Sequence, residues 1–174
     1  MISFGSHLLA YEAARMSLAR LRVPGGAELK KAFALTTQIA ATTLRVARVG
    51  CWLYLPERAA LRCFHMREGT HETAFEGAII EQAECPVYFE AIARQSILPI
   101  SDAQHDPMSA ELRAGYLEPL GVGAMLDVPV FLDGALKGVV CHEHVGGPRV
   151  WTAEEQAVAK NVADTLGRQA LEAQ

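Results

Sequence analysis

The chain has 174 residues, 51% of them hydrophobic, with a formal net charge of −4 and a pI near 5.9. That length suits one domain whose core needs neither disulfides nor a structural metal, and the acidic balance, without basic clusters, argues against a nucleic-acid binder or an electrostatic membrane patch. No apolar run reaches the roughly 18 residues of a membrane span, and the start Met1-Ile2-Ser3-Phe4 lacks a secretory signal, so a cytoplasmic protein is expected.

Residues 7–22 carry Leu8, Tyr11, Arg15, Leu18 and Leu21 at helical spacing, which predicts a lead-in helix ended by Val23-Pro24-Gly25-Gly26. A second helix is predicted from Ala27 to Val46, with Leu29, Phe33, Ile39 and Leu44 inward and Lys30, Lys31 and Gln38 outward. Cys51–Leu55 and Ala60–Met66, joined across Pro56-Glu57-Arg58, read as a β-hairpin. Residues 67–84, with Gly69 and Gly77, read as a loop. Pro86 opens a helix to Ala93, where a first-turn proline suits. Ser96–Ile100 is a short strand, and the polar loop 101–107 follows. A helix is expected from about Ser109, as its cap, to Leu120. Strands Ala124–Phe131 and Leu136–His144 flank Leu132-Asp133-Gly134, and Asp-Gly is a strong signal for a tight turn. In the last helix Thr152 and Glu155 have capping-box spacing, and Val158, Val162, Leu166 and Ala170 form its apolar stripe.

This order gives an α+β fold with a mostly antiparallel sheet. The long first and last helices would cover one face, and the short helices and loops of the middle third the other. The lead-in helix is assigned to residues 1–24 and the domain proper to 25–174. The four cysteines, Cys51, Cys63, Cys85 and Cys141, form no Cys-x-x-Cys pair and read as buried thiols.

Several segments in this order resemble the GAF family of sensory domains, from about Leu29 to Leu171. They are Trp52-Leu53-Tyr54, then Ile97 to Ala103 with Asp106-Pro107, then Tyr116 with Leu120 to Val130. Gly134 to Val140 and Pro148 to Glu155 complete the set. Cys141 to Gly146 is most similar to GAF domains attached to bacterial sensor histidine kinases and diguanylate cyclases. The resemblance implies a GAF-like sheet with its N- and C-terminal helices on one side and a ligand pocket on the other. It implies a homodimer through those helices and a relay to a kinase or cyclase output. It names no ligand or cofactor. Members that hold a bilin carry a Cys-His pair where this chain has Leu112-Arg113, and the signature of cyclic-nucleotide-binding members is missing. Other members reduce free methionine sulfoxide through clustered cysteines, which makes a redox enzyme using Cys85 one alternative; a dimerisation module with a filled pocket is another. No catalytic triad, phosphate loop or zinc-protease motif accompanies them.

The candidate ligand-binding residues are Trp52, Tyr88, Asp102, Met108, Tyr116, Met125, Asp127, His142 and His144. Asp127 interrupts an apolar strand, and alternation places it opposite Leu126 and Val128. It faces the pocket if those two face the helices; otherwise it caps a loop. Tyr88, Tyr116, Met108 and Met125 supply apolar walls with polar handles, or plain core. Asp102 and Asp106 belong to the rim loop, where Asp106-Pro107 also has ordinary turn chemistry. His142 and His144 share a strand face and fit either a metal, completed by His65, Asp102, Asp127 or Cys51, or a core hydrogen bond beside an exposed strand end. On that phase Glu143 would point toward the helices.

Overall fold

A computed structural model describes residues 27–69, 71–72 and 75–172, with the isolated positions 9, 12, 13 and 16. The expected lead-in helix over 7–22 lies outside the described residues except at those four positions, which are helical. Helix α1 (Ala27–Leu44) leads into β1 (Arg48–Leu55) and β2 (Ala60–Glu68), followed by the short strands β3 (His71–Glu72) and β4 (Ile79–Glu81). Helix α2 (Pro86–Arg94) and β5 (Leu98–Ile100) come next. The long strands β6 (Val122–Leu132) and β7 (Ala135–Val145) precede α3 (Ala153–Glu172).

The strands form one antiparallel sheet in the order β3-β2-β1-β7-β6-β5, with β4 paired to the start of β2. The β6–β7 hairpin closes at Asp133-Gly134, whose φ values of 49° and 76° give the primed turn that matches strand twist. At α3 the capping box forms as its spacing predicts. The Glu155 amide donates to Thr152 Oγ1 at 3.2 Å, and the Thr152 amide donates to Glu155 Oε2 at 2.9 Å.

Helices α1 and α3 pack together over one face of the sheet. Phe33, Leu44, Val49, Leu126, Val128, Val140, Val162 and Leu166 fill this layer. Arg149 ties the pair: it donates to the Leu44 carbonyl at 2.6 Å and meets Glu155 at 2.5 Å, so the end of α1 and the start of α3 share one guanidinium. The other face carries a second core of Trp52, Leu61, Met66, Ile92, Leu117 and Met125 under α2 and the irregular middle segment.

Three stretches depart from the sequence expectation. Residues 67–84 are not simply a loop: β2 runs on to Glu68 because Arg48 and Val49 pair with it, and β3 and β4 fold back on it. No regular helix spans Ser109–Leu120. A 3-10 turn at Ala110–Leu112 runs into a single π turn at Arg113–Leu117. Ser109 turns its hydroxyl inward to the Ala103 carbonyl at 2.9 Å and caps nothing, while Gly115 and Pro119 weaken any helix here. A bulge at Phe64 also puts Phe64 and His65 together on the helix side, which simple alternation does not anticipate.

Candidate functional site

The face turned away from the helix pair carries Arg48, Asp127 and Glu143, all buried. The antiparallel register of β1 and β7 sets Arg48 opposite Glu143, Gly50 opposite Cys141 and Trp52 opposite Val139. On β6, Met125 and Asp127 point the same way, while Leu126 and Val128 enter the helix-side core. Tyr88 comes from α2, Leu112 from the 3-10 turn and Tyr116 from the π turn. Between them lies a cavity of about 10 Å³, lined by Trp52, Tyr88, Leu112, Tyr116, Met125 and Cys141 among others. That is room for about one water molecule.

Arg48 and Glu143 are both fully buried. Arg48 Nε donates to Glu143 Oε2 at 2.7 Å, and the Tyr116 hydroxyl donates to Glu143 Oε1 at 2.7 Å. Arg48 Nη1 lies 3.0 Å from the Glu68 carboxylate but without hydrogen-bonding geometry. The guanidinium also stands over the Phe75 ring at 5.0 Å and the Tyr116 ring at 5.8 Å. Burial opposes the charge on Arg48, yet Glu143 and Tyr116 more than offset it and the group is held firmly protonated. Burial pushes the Glu143 carboxyl upward, against the pull of Arg48 and Tyr116.

A second polar pair sits beside this one. The Tyr88 hydroxyl donates to Asp127 Oδ2 at 2.6 Å, and Asp127 Oδ1 is buried without a hydrogen-bond donor among the described residues. Complete burial pushes the Asp127 carboxyl up to about 7, with the Tyr88 hydrogen bond pulling the other way and Glu143 adding to the rise. Tyr88 is itself held well above its ordinary range by burial and by Asp127. Its backbone is anchored from a distance, since Glu111 accepts from the Val87 amide at 3.0 Å and the Tyr88 amide at 3.2 Å. A carboxylate from the 3-10 turn thus satisfies the free amides at the start of α2.

Of the nine candidates, Trp52, Tyr88, Tyr116 and Met125 line the cavity. Asp127 stands next to it, bonded to Tyr88 and paired across the strands with Cys141, and does not cap a loop. The others fall elsewhere. Asp102 is on the surface, 3.0 Å from His105 Nδ1. Met108 is half-buried with its sulfur 3.6 Å from Gln95 Nε2, and it is held by an Asp106 side-chain turn. His142 lies on the helix side, its Nδ1 2.8 Å from the Leu126 carbonyl, which assigns the ring proton to that nitrogen. His144 is half-exposed near the strand end. The strand phase is therefore the reverse of the one that would put the histidines in the pocket: Val139, Cys141 and Glu143 face the chamber. Among the described residues no group of histidine, cysteine and carboxylate side chains is arranged to hold a metal.

The cysteines are poor nucleophile candidates. Burial pushes the Cys85 thiol up to about 11 and the Cys63 thiol to about 12, and Cys141 rises well above its ordinary range for the same reason.

Arg48, Glu143 and Glu111 are the site residues that sequence reasoning missed. The one available signal was a charged residue inside an apolar strand at each of Arg48 and Glu143, the same signal that singled out Asp127.

Comparison with known proteins fits this architecture. The family model described as GAF domain matches residues 28–169. Among solved structures, the GAF domain of the phosphoenolpyruvate-protein phosphotransferase from Acinetobacter is 13% identical with a TM-score of 0.72, over 98% of this chain and 95% of that one. The cyanobacteriochrome receptor PixJ is 20% identical with a TM-score of 0.66, over 81% of this chain and 93% of that one. The chromophore-binding domain of phytochrome P1 from Stigmatella aurantiaca is 14% identical with a TM-score of 0.67; 96% of this chain is covered, but only 60% of that one. Identities this low carry the fold alone. No curated protein matches the sequence.

Proposed function

The chain belongs to the GAF family, and we propose that it is a sensory input domain whose ligand chamber is closed in this state. The carrying observation is the pairing of buried charge with a residual cavity on the sheet face that α1 and α3 leave free. Charges so buried contribute little net stability, because their desolvation offsets their attraction. They are better understood as recognition groups. PixJ and the phytochrome fragment, described as a receptor and as a chromophore-binding domain, support a small-molecule role. A bilin on a Cys-His pair is disfavoured: the buried Leu112 and exposed Arg113 occupy the positions where the family carries that pair.

The relay would run through two neighbouring residues. Phe75 packs on Tyr116 at 5.8 Å and under Arg48 on the chamber side. Glu76 reaches Lys30 of α1 at 3.4 Å and His65 Nδ1 at 3.6 Å, and His65 Nε2 lies 3.1 Å from Thr37 of α1. A ligand that displaces Tyr116 moves Phe75, and with it the contacts of Glu76 on α1. The domain would act as a homodimer through its terminal helices in the cytoplasm and bias a kinase or cyclase output by population shift.

The test is a thermal-shift screen with metals, nucleotides and metabolites, followed by amide exchange of α1. A hit that stabilises by mass action and changes protection over residues 27–44 supports the reading. A cavity of only about 10 Å³ favours a second reading, a dimerisation module with a filled pocket. Stable dimers with no hit in the screen would select it.

A further inference from the structure

We infer that the chamber takes a compact aromatic ligand presenting a cationic N–H group to Asp127, and that it rejects anions of the same shape. This rests on the sensory reading above and names the chemistry of its ligand.

The argument starts from an imbalance of charge. Two carboxylates on this face, Glu143 and Glu68, already share Arg48. Among the described residues no cationic side chain hydrogen-bonds or pairs with Asp127; it meets only the neutral Tyr88 hydroxyl and the Cys141 thiol, with Glu143 as a further negative neighbour. A carboxylate has about four acceptor positions, and Asp127 Oδ1 uses none of them although it is fully buried. A buried carboxylate left in that condition is unfavourable until a donor arrives, and a charged donor is the strongest match. Asp127 is on the same face as Met125, bonds Tyr88 and pairs across the strands with Cys141, all three of which line the cavity.

The walls fit the same partner. Trp52, Tyr88 and Tyr116 offer aromatic surfaces, and this cluster already holds one cation, Arg48, over Phe75 and Tyr116. An anion would find Arg48 committed and two carboxylates nearby. The ligand must be compact, because the cavity enlarges only by displacing side chains. Leu112 and Tyr116 are the ones set on irregular backbone, the 3-10 and π turns.

The experiment uses three isosteres on the full chain at pH 8: benzamidine, benzamide and benzoate. Binding is read by calorimetry and by the indole N–H resonance of Trp52. Benzamidine is expected to shift that resonance and to bind about tenfold tighter than benzamide, the worth of a charge-assisted hydrogen bond, with no binding of benzoate. Asp127→Asn should remove that advantage and leave benzamide unchanged. Tyr88→Phe, which keeps the carboxylate and releases Oδ2, should bind benzamidine at least as well, and it provides the test if Asp127→Asn does not fold. Benzamide or benzoate binding as tightly as benzamidine, with the Trp52 shift, overturns the cation inference but leaves the chamber a ligand site. Benzamidine binding unaffected by Asp127→Asn also overturns it. Silence from all three overturns the inference, and the sensory reading then stands or falls on the metabolite screen.

Discussion

His142 and Glu143 are adjacent on one strand, both inaccessible to water, and they meet opposite environments. His142 gives its Nδ1 proton to the Leu126 carbonyl within an aliphatic layer and stays neutral, its pKa lowered by burial to about 4. Glu143 enters a cluster with a guanidinium, a tyrosine and a second carboxylate close by. The helix-covered face ties its polar groups to the helices, His65 to Thr37 and Arg67 to Gln38, although Thr36 Oγ1 and His142 Nε2 have no hydrogen-bond partner among the described residues. The chamber face holds charge in reserve, with one carboxylate oxygen that nothing among the described residues satisfies. A sheet can therefore separate its structural surface from its recognition surface by the parity of residue number alone.

The largest test of that separation is Glu143→Ala. It leaves Arg48 Nε buried without its acceptor, with the half-exposed Glu68 the remaining anion beside the guanidinium, and is expected to cost about 3–5 kcal/mol, as much as Leu126→Ala on the opposite layer, for which about 2–5 kcal/mol is expected. The distinction appears in the double variant Arg48→Met/Glu143→Leu. It should recover most of the loss in denaturant melts, since apolar replacement removes the desolvation penalty, whereas no second substitution restores a cavity left by Leu126→Ala.

The next effect is in pH dependence, where the two faces have opposite signs. Asp127 titrates near 7 folded and near 3.8 unfolded. The folded state holds the extra proton in that window, so stability falls as pH rises from about 4 to 7, by about 4 kcal/mol at 1.36 kcal/mol per unit. His142 titrates near 4 folded and near 6.5 unfolded. There the unfolded state holds the extra proton, so stability rises over about pH 4 to 6.5, by about 3 kcal/mol. In urea melts across pH, Asp127→Asn should reduce the falling component, to which the raised Glu143 carboxyl also contributes, and His142→Phe should reduce the rising one. Identical pH profiles for both variants would break the comparison.

A smaller loss, about 1 kcal/mol, is expected for Glu111→Ala, which uncaps α2. The accompanying sign is faster amide exchange at Val87 and Tyr88, on the chamber side only. The smallest effect is Glu76→Ala. Its partner Lys30 is well exposed, so stability should change by less than about 0.5 kcal/mol. Yet that variant should blunt any ligand-induced change in α1 protection, which separates signalling from folding.

How much of this was legible in the sequence follows from the range of each interaction. The Asp133-Gly134 turn and the Thr152/Glu155 box are local and could be recognised from their spacing. Alternation opposed Asp127 to Leu126 and Val128 but left open which side faces the helices; the structure puts Leu126 and Val128 there. β7 offered no anchor either: Val139 to Glu143 are buried on both faces, as Val122 to Pro129 of β6 are, so the pattern does not reveal which parity faces the helices. Arg48 and Glu143 are 95 positions apart and meet only through strand register, which no local pattern encodes. The missing helix at Ser109–Leu120 shows the reverse case, where a tertiary hydrogen bond to Ala103 outweighs a plausible cap.

The near-absence of free volume behind Trp52 and Tyr116 has a consequence in time. A guest cannot diffuse into space that does not exist, so capture waits for the wall to part. The observed rate would then level off with concentration at the frequency of that opening, and the apparent Kd would be the intrinsic value divided by the open fraction. On the proposed sensory reading, such a domain would ignore brief pulses and respond to sustained exposure, a low-pass filter written into packing.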